Sequence, residues 1–385
     1  MKRAPSTIRV LGQPSWRLAS STVEAFVTEI GGHVAPVTFD RRGRKIRPYS
    51  VAPWAEEKTD PKLAPILKVL RGDFFCMPFG GNATPFQGER HPIHGETANA
   101  KWKLESLTSR EGRTELHLSL RTKIRKGRVD KFVSLVDGHN AIYSRHVISE
   151  MSGAMCFGQH AMLKFPEREG SGIVSTSRFV YGQVFPDAFE LPAQGGYTSL
   201  QAGATFKALT RVPTMTGETT DLTRYPARRG WENLVMIVSD DSAPFAWTAV
   251  TFPEQRYVWF ALKDPRVLRN TVFWQSNAGR HYPPWSGRHH SVMGLEEVTA
   301  NFHYGLAESA KKNPLSQKSF FTCIQLSPNH PLTINYIMVI ATIPRGFDKV
   351  ASINPTADGQ AVTIRAASGV KMVAPVDVGF LKESL

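Results

Sequence analysis

A succession of short runs rich in β-branched and aromatic residues, each closed by Gly, Pro, Asp or Asn, constrains this chain more than any other feature. Segments 114–121 (TELHLSLR) and 129–136 (VDKFVSLV) alternate apolar and polar residues with the period of a half-buried strand. The charged, glycine-containing KIRKG stretch between them predicts a hairpin turn. Further strands are expected at 22–30, 141–148, 233–238, 245–250, 256–262, 332–343 and 361–365. Two stretches have helical character: 62–70, interrupted by Pro65, and 303–312. The chain contains 30 Gly and 26 Pro, which suits many short elements better than long helices. The predicted fold class is all-β, a large antiparallel β-sandwich with few short helices. The chain has no Pro/Ser-rich linker, low-complexity run or internal repeat. One domain over residues 1–385 is expected, with 344–385 as a peripheral cap.

Charge and cysteine content narrow the class further. Lys and Arg total 47 against 33 Asp and Glu, a formal net charge of +14 that draws anionic partners or serves solubility. The basic runs 41–47, 121–131 and 224–229 are spread along the chain and read as solvated loops, which argues against a nucleic-acid-binding arm. Cys76, Cys156 and Cys323 form no CxxC pair and no disulfide framework. With no signal-peptide pattern and no apolar stretch long enough to cross a bilayer, a reducing, cytoplasmic location and no membrane partner are expected. The sequence leaves the oligomeric state open.

Four stretches concentrate residues capable of chemistry. Residues 71–96 (RGDFFCMPFGGNATPFQGERHPIHGE) hold Asn82, His91, His94 and Glu96. Residues 158–165 (GQHAMLKF) place Gln159 and His160 after a strand. Residues 274–288 (WQSNAGRHYPPWSGR) bring Trp274, Trp285 and Arg288, and 294–297 (GLEE) carries Glu296 and Glu297. Each histidine reads first as an ordinary loop residue. A metal set of His91, His94 and Glu96 is disfavoured, because Pro92 breaks a helix and a strand would point the two rings to opposite sides. Neighbouring strand residues face opposite ways, so only one of Glu296 and Glu297 can enter a cleft. If Leu295 is buried, Glu297 shares its face and Glu296 is the cleft-facing residue. The bland alternative makes both glutamates solubilisers on an edge strand.

Taken together, these stretches resemble the aldose 1-epimerase (galactose mutarotase-like) superfamily. HPIHGETANAKW is similar to its "HG…W" segment, preceded by a "PF…N" turn matched by Pro78, Phe79 and Asn82. GQHAMLKF resembles its histidine strand, with His160 on the functional histidine, and PWSGRHHSVMGLEE resembles its "G-L-E" strand, with Glu296 on the functional glutamate. GGHVAPVTF is similar to its opening hairpin. The chain departs from the pattern where Ala83-Thr84 follow Asn82 in place of an arginine, and where Met162-Leu163-Lys164 replace Tyr-Phe-Asn. It therefore resembles divergent members.

The resemblance implies that the chain interconverts sugar anomers without a metal or organic cofactor. Glu296 would act as base and His160 as acid, and a carboxylate near the ring would hold the proton on His160. His94, Asn82, Gln159 and Arg288 would bind the sugar, Asp187 is the candidate for the family's binding aspartate, and Trp274 and Trp285 would offer an aromatic platform. Arg71, Arg90, Arg280 and Arg288 lie beside these motifs and leave room for an acidic or phosphorylated sugar. The competing expectation is a carbohydrate-binding protein of the same fold without turnover.

Overall fold

A computed structural model describes residues 6–384. The chain is an antiparallel β-sandwich protein, built almost wholly of antiparallel strands, with two five-residue α-helices among the described residues. It divides into two compact units. The first runs to Ala161 and takes up Val298–Ile337, and the second comprises Met162–Glu297 and Met338–Leu381.

The first unit contains two antiparallel meanders. One joins Ile8–Val10, Gln13–Ala19, Glu24–Thr28 and Val34–Thr38. The other joins Lys103–Arg110, Arg113–Thr122, Gly127–Val136 and Ala141–Ser149. The expected hairpin forms with Thr122 opposite Gly127. Its turn is tied down by the Glu96 carboxylate, which accepts from the backbone N–H groups of Lys123 (3.0 Å) and Ile124 (3.0 Å). Alternation then sends Val129, Lys131, Val133 and Leu135 into the interior. Lys131 is thus fully buried at the end of a basic run expected to be solvated.

Three other expectations are revised. Pro65 does not interrupt a helix but starts one, Pro65–Val69, where its fixed φ and missing N–H are tolerated. Of 303–312, only Leu306–Ala310 is helical. Gln159 and His160 do not follow a strand but lie inside one, Phe157–Lys164, with Gln159 opposite Phe75.

In the second unit, Phe179–Val184, Trp231–Ser239 and Asn270–Asn277 pair antiparallel. Gly172–Thr176, Ala246–Phe252 and Tyr257–Lys263 form another antiparallel set. Residues beyond Pro344 fold into a three-stranded sheet of Val350–Pro355, Ala361–Ala366 and Lys371–Pro375. Strands 246–252, 257–263, 270–277 and Val292–Thr299 are buried at every position. This overturns the reading of Glu296 and Glu297 as edge-strand solubilisers.

Leu295 is fully buried, and Glu297 lies on its face. Glu297 forms a buried ion pair with Lys263 and accepts from Thr248 Oγ1 (2.7 Å) and Thr271 Oγ1 (2.7 Å). Lys263 Nζ also donates to the Asn270 carbonyl (2.7 Å). Removing one partner of such a pair strands the other charge in a dry interior, whereas replacing both with apolar groups does not. Lys263→Met is therefore expected to lower stability by about 3–5 kcal/mol. The double variant Lys263→Met/Glu297→Met should recover most of that loss, and urea unfolding of the two proteins checks the ordering.

Candidate functional site

Two clusters of buried polar and aromatic side chains gather the residues singled out in the sequence, one in each unit. In the first unit the organiser is Phe74. His33 stacks on it at 4.1 Å and His160 at 4.5 Å, with near-parallel rings. His94 meets His160 edge-on at 5.0 Å and stacks against His303 at 4.9 Å. The loop carrying His94 is held in an unusual conformation: His94 has φ 58° and Gly95 φ 73°. Any Cβ on Gly95 would fall 1.8 Å from the Met77 carbonyl oxygen, so only glycine fits there.

Asn82 fixes this loop. Its Nδ2 donates to the carbonyls of Pro78 (3.2 Å), Gly80 (3.1 Å) and Pro92 (3.1 Å), and its Oδ1 accepts from Leu306 N (3.0 Å). The Asn82 amide is thus engaged with backbone on three segments.

Gln159 and His160, adjacent on one strand, face opposite ways. The Gln159 amide lies 3.0 Å from His146 Nδ1, and Lys131 Nζ lies 3.2 Å from His146 Nε2. The Gln159 atom facing Nδ1 is the amide nitrogen, and an ammonium only donates, so Nε2 of this neutral ring accepts from Lys131. Burial, then the Lys131 charge, keeps His146 well below the ordinary histidine range. Asp73 is fully buried nearby; burial pushes it up to about 6, against the pull of Lys131.

His160 differs from expectation. Burial, reinforced by His303 and His33, pushes its ring down to about 3, so it is neutral at physiological pH. His94 is likewise lowered well below the ordinary histidine range, by burial and then by His160 and His303. The metal set considered from sequence is dispersed: His91 pairs with Glu89 (2.8 Å), and Glu96 serves the hairpin turn.

In the second unit Arg280 is the hub. Its Nε donates to Glu190 Oε1 at 2.6 Å and lies 3.9 Å from Glu232 Oε2. Its guanidinium sits over Trp285 (4.6 Å) and Trp274 (5.2 Å). The two indoles meet edge-to-face at 5.8 Å. Glu232 accepts from Trp274 Nε1 (2.9 Å) and Ser276 Oγ (2.9 Å). His289 stacks on Trp274 at 5.4 Å, with Nδ1 2.6 Å from Ser276 Oγ.

Glu296 enters the same neighbourhood. Gly294, on its face two residues earlier, leaves the room: a Cβ there would lie 2.7 Å from Glu296 Oε1 and 3.1 Å from Trp274 Cβ. Burial drives the Glu296 carboxyl well above the ordinary glutamate range, although Arg280 opposes this. Glu232 is pushed up to about 7 by burial, again against Arg280. Burial works against the charge on Arg280, but Glu232 and Glu190 hold its pKa up. The cluster therefore combines a carboxyl raised well above its ordinary range, a second carboxyl poised near neutrality, a charge-balanced guanidinium and two indole rings. Carboxyls shifted in this way can give or take a proton near neutral pH.

Of the residues expected from sequence, His94 and His160 come together, as do Trp274, Trp285 and Glu296. Arg288 is exposed and donates to the Pro284 carbonyl (3.3 Å), and Asp187 is exposed on the segment leading to Glu190. Glu190, Glu232, Ser276 and His289 were not anticipated. Glu232 had a signal: an acidic residue inside the apolar run 231–239, where a strand buried on both faces has no place for an unpaired charge.

No family model and no curated protein matches the sequence. Solved structures do. A galactose mutarotase-like protein from Clostridium acetobutylicum superposes with a TM-score of 0.59 at 12% identity, over 88% of this chain and 98% of its own. A galactose mutarotase related enzyme from Lactobacillus acidophilus gives 0.54 at 10% identity, over 86% and 98%. The fold is galactose mutarotase-like.

Glu232 supplies a pH test. Its folded value of about 7 exceeds the ordinary 4.5, so the folded chain keeps a proton that the unfolded chain loses between these values. Stability from this group is present below 4.5 and is lost as pH rises to 7, a cost of about 3 kcal/mol. Glu232→Gln should therefore gain stability relative to wild type as pH is raised from 5 to 8. Urea unfolding across that range checks this, and parallel curves for the two proteins would refute it.

Proposed function

We propose that this protein is an aldose 1-epimerase-like enzyme that interconverts the anomers of a neutral sugar by acid–base catalysis. The observation that carries the reading is the buried Glu296 carboxyl, raised well above the ordinary glutamate range by burial, beside Trp274 and Arg280. The fold shared with mutarotase-like proteins and the resemblance around His160 and Glu296 support it.

The reaction needs one group to take the proton of the anomeric hydroxyl and another to protonate the ring oxygen. The C1–O5 bond then breaks to give the open-chain aldehyde, C1 rotates about the C1–C2 bond, and the ring recloses with the opposite face exposed. The resemblance implies Glu296 as base and His160 as acid. Burial favours the reverse starting states, a Glu296 that holds its proton more tightly and a neutral His160. Either order returns both groups to their starting states after a round trip. Arg280 is already balanced by Glu190 and Glu232, which favours a neutral sugar over an acidic or phosphorylated one.

A positioned acid or base contributes ~10²–10⁴-fold. The decay of optical rotation of fresh α-D-glucose and α-D-galactose should accelerate with the protein. Glu296→Gln and His160→Ala should each reduce kcat/KM at least about 100-fold, with melting temperatures showing that the variants still fold. Tight sugar binding without acceleration would replace this reading by that of a non-catalytic carbohydrate-binding protein.

A further inference from the structure

A second feature of the second unit stands apart from the Arg280 cluster. Strands Trp231–Ser239 and Asn270–Asn277 pair with Glu232 opposite Ser276 and Asn233 opposite Gln275. Alternation puts Glu232, Trp274 and Ser276 on one face and Trp231, Asn233, Gln275 and Asn277 on the other. That other face is the floor of a cleft of about 1140 Å³. Single-ligand pockets commonly run from roughly 300 to 1,000 Å³, so the cleft has room for several linked rings.

Its walls carry an unusual concentration of exposed apolar surface. Eight large hydrophobic side chains stay exposed among the described residues, and four of them, Leu191, Tyr197, Met215 and Trp231, line this one cleft. Around them stand the hydroxyls of Thr198, Ser199, Thr214, Thr216, Thr219 and Thr220 and the floor amides. Asn233 braces one wall, accepting from Thr198 Oγ1 (3.0 Å) and Ser199 N (3.0 Å). Fixed charge is scarce: Glu190 is taken by Arg280 and Tyr282, leaving Glu218 and Arg228, one of each sign.

Flat aromatic faces, a dense set of neutral hydroxyl and amide groups and no net charge match one ligand class. Sugar rings present C–H faces to aromatic side chains and hydroxyl edges to neutral polar groups. A lone anion would find no surplus of positive charge, although the chain as a whole carries +14. An extended peptide seeks an open strand edge. The floor strands are paired on both sides, and the other strands in the lining are only two residues long, Thr219–Thr220 and Arg224–Tyr225. We propose that this cleft binds a neutral oligosaccharide, with sugar rings lying on Tyr197 and Trp231. The site is separate from Glu296 and does not require that the protein turn sugars over.

Calorimetric titration of the full chain with maltohexaose, cellohexaose, xylohexaose and chitohexaose, each against its monosaccharide, tests the proposal. At least one hexasaccharide should bind ten-fold or more tightly than its monomer. Trp231→Ala and Tyr197→Ala should each weaken that binding at least ten-fold without changing the melting temperature or the mutarotation rate of a monosaccharide. Failure of all four to bind at millimolar concentration, binding indifferent to both substitutions, or displacement of the oligosaccharide by a random decapeptide pool with higher affinity would overturn it. Oligosaccharide binding without mutarotation would sustain this site while refuting the proposed activity.

Discussion

Two adjacent glutamates on a strand with no wet face set the electrostatics of the second unit. Backbone alternation turns Glu296 and Glu297 to opposite sides, and each side must answer a buried carboxyl. Lys263, Thr248 and Thr271 answer Glu297 with a direct ion pair and short hydrogen bonds. On the other side the cation is Arg280, already engaged by Glu190 and Glu232, so burial raises the Glu296 carboxyl well above the ordinary glutamate range. A structural ion pair and a carboxyl of raised pKa thus arise one residue apart from the same geometric rule.

The first unit handles buried nitrogen bases in a different way. Rings stack on Phe74, Phe75 and one another, and burial leaves them uncharged. A neutral imidazole has one donor and one acceptor, so each ring has a defined hydrogen-bonding sense. His146 shows how that sense is set, by the Lys131 ammonium that donates to its Nε2.

Much of the fold was legible because strand periodicity is a local property. The hairpin at Thr122–Gly127 and the strands around it follow from alternation and a charged turn. What alternation could not reveal was whether the second face of a strand is wet. Lys131 belongs to a basic run that reads as solvated, yet it continues the inward row of Val129 and Val133. Pro65 reads as a breaker unless the helix is known to begin there. For the site, the motifs led to His94, His160, Trp274, Trp285 and Glu296. Glu190 and Glu232 sit outside those motifs and join the cluster only through strand pairing and loop return, while His289 lies within the last motif beside residues that drew the attention. The expected charge on His160 failed because a pKa depends on burial, which spacing does not encode.

The pairing of Trp231–Ser239 with Asn270–Asn277 has a further consequence. Its two faces carry unrelated chemistries, carboxyl and indole on one side, amides on the other. Inserting or deleting a single residue in either strand would invert its outward and inward positions beyond the change, placing amides where Arg280 expects carboxylates. Length changes compatible with this fold are thereby excluded from both strands, which stay locked in step.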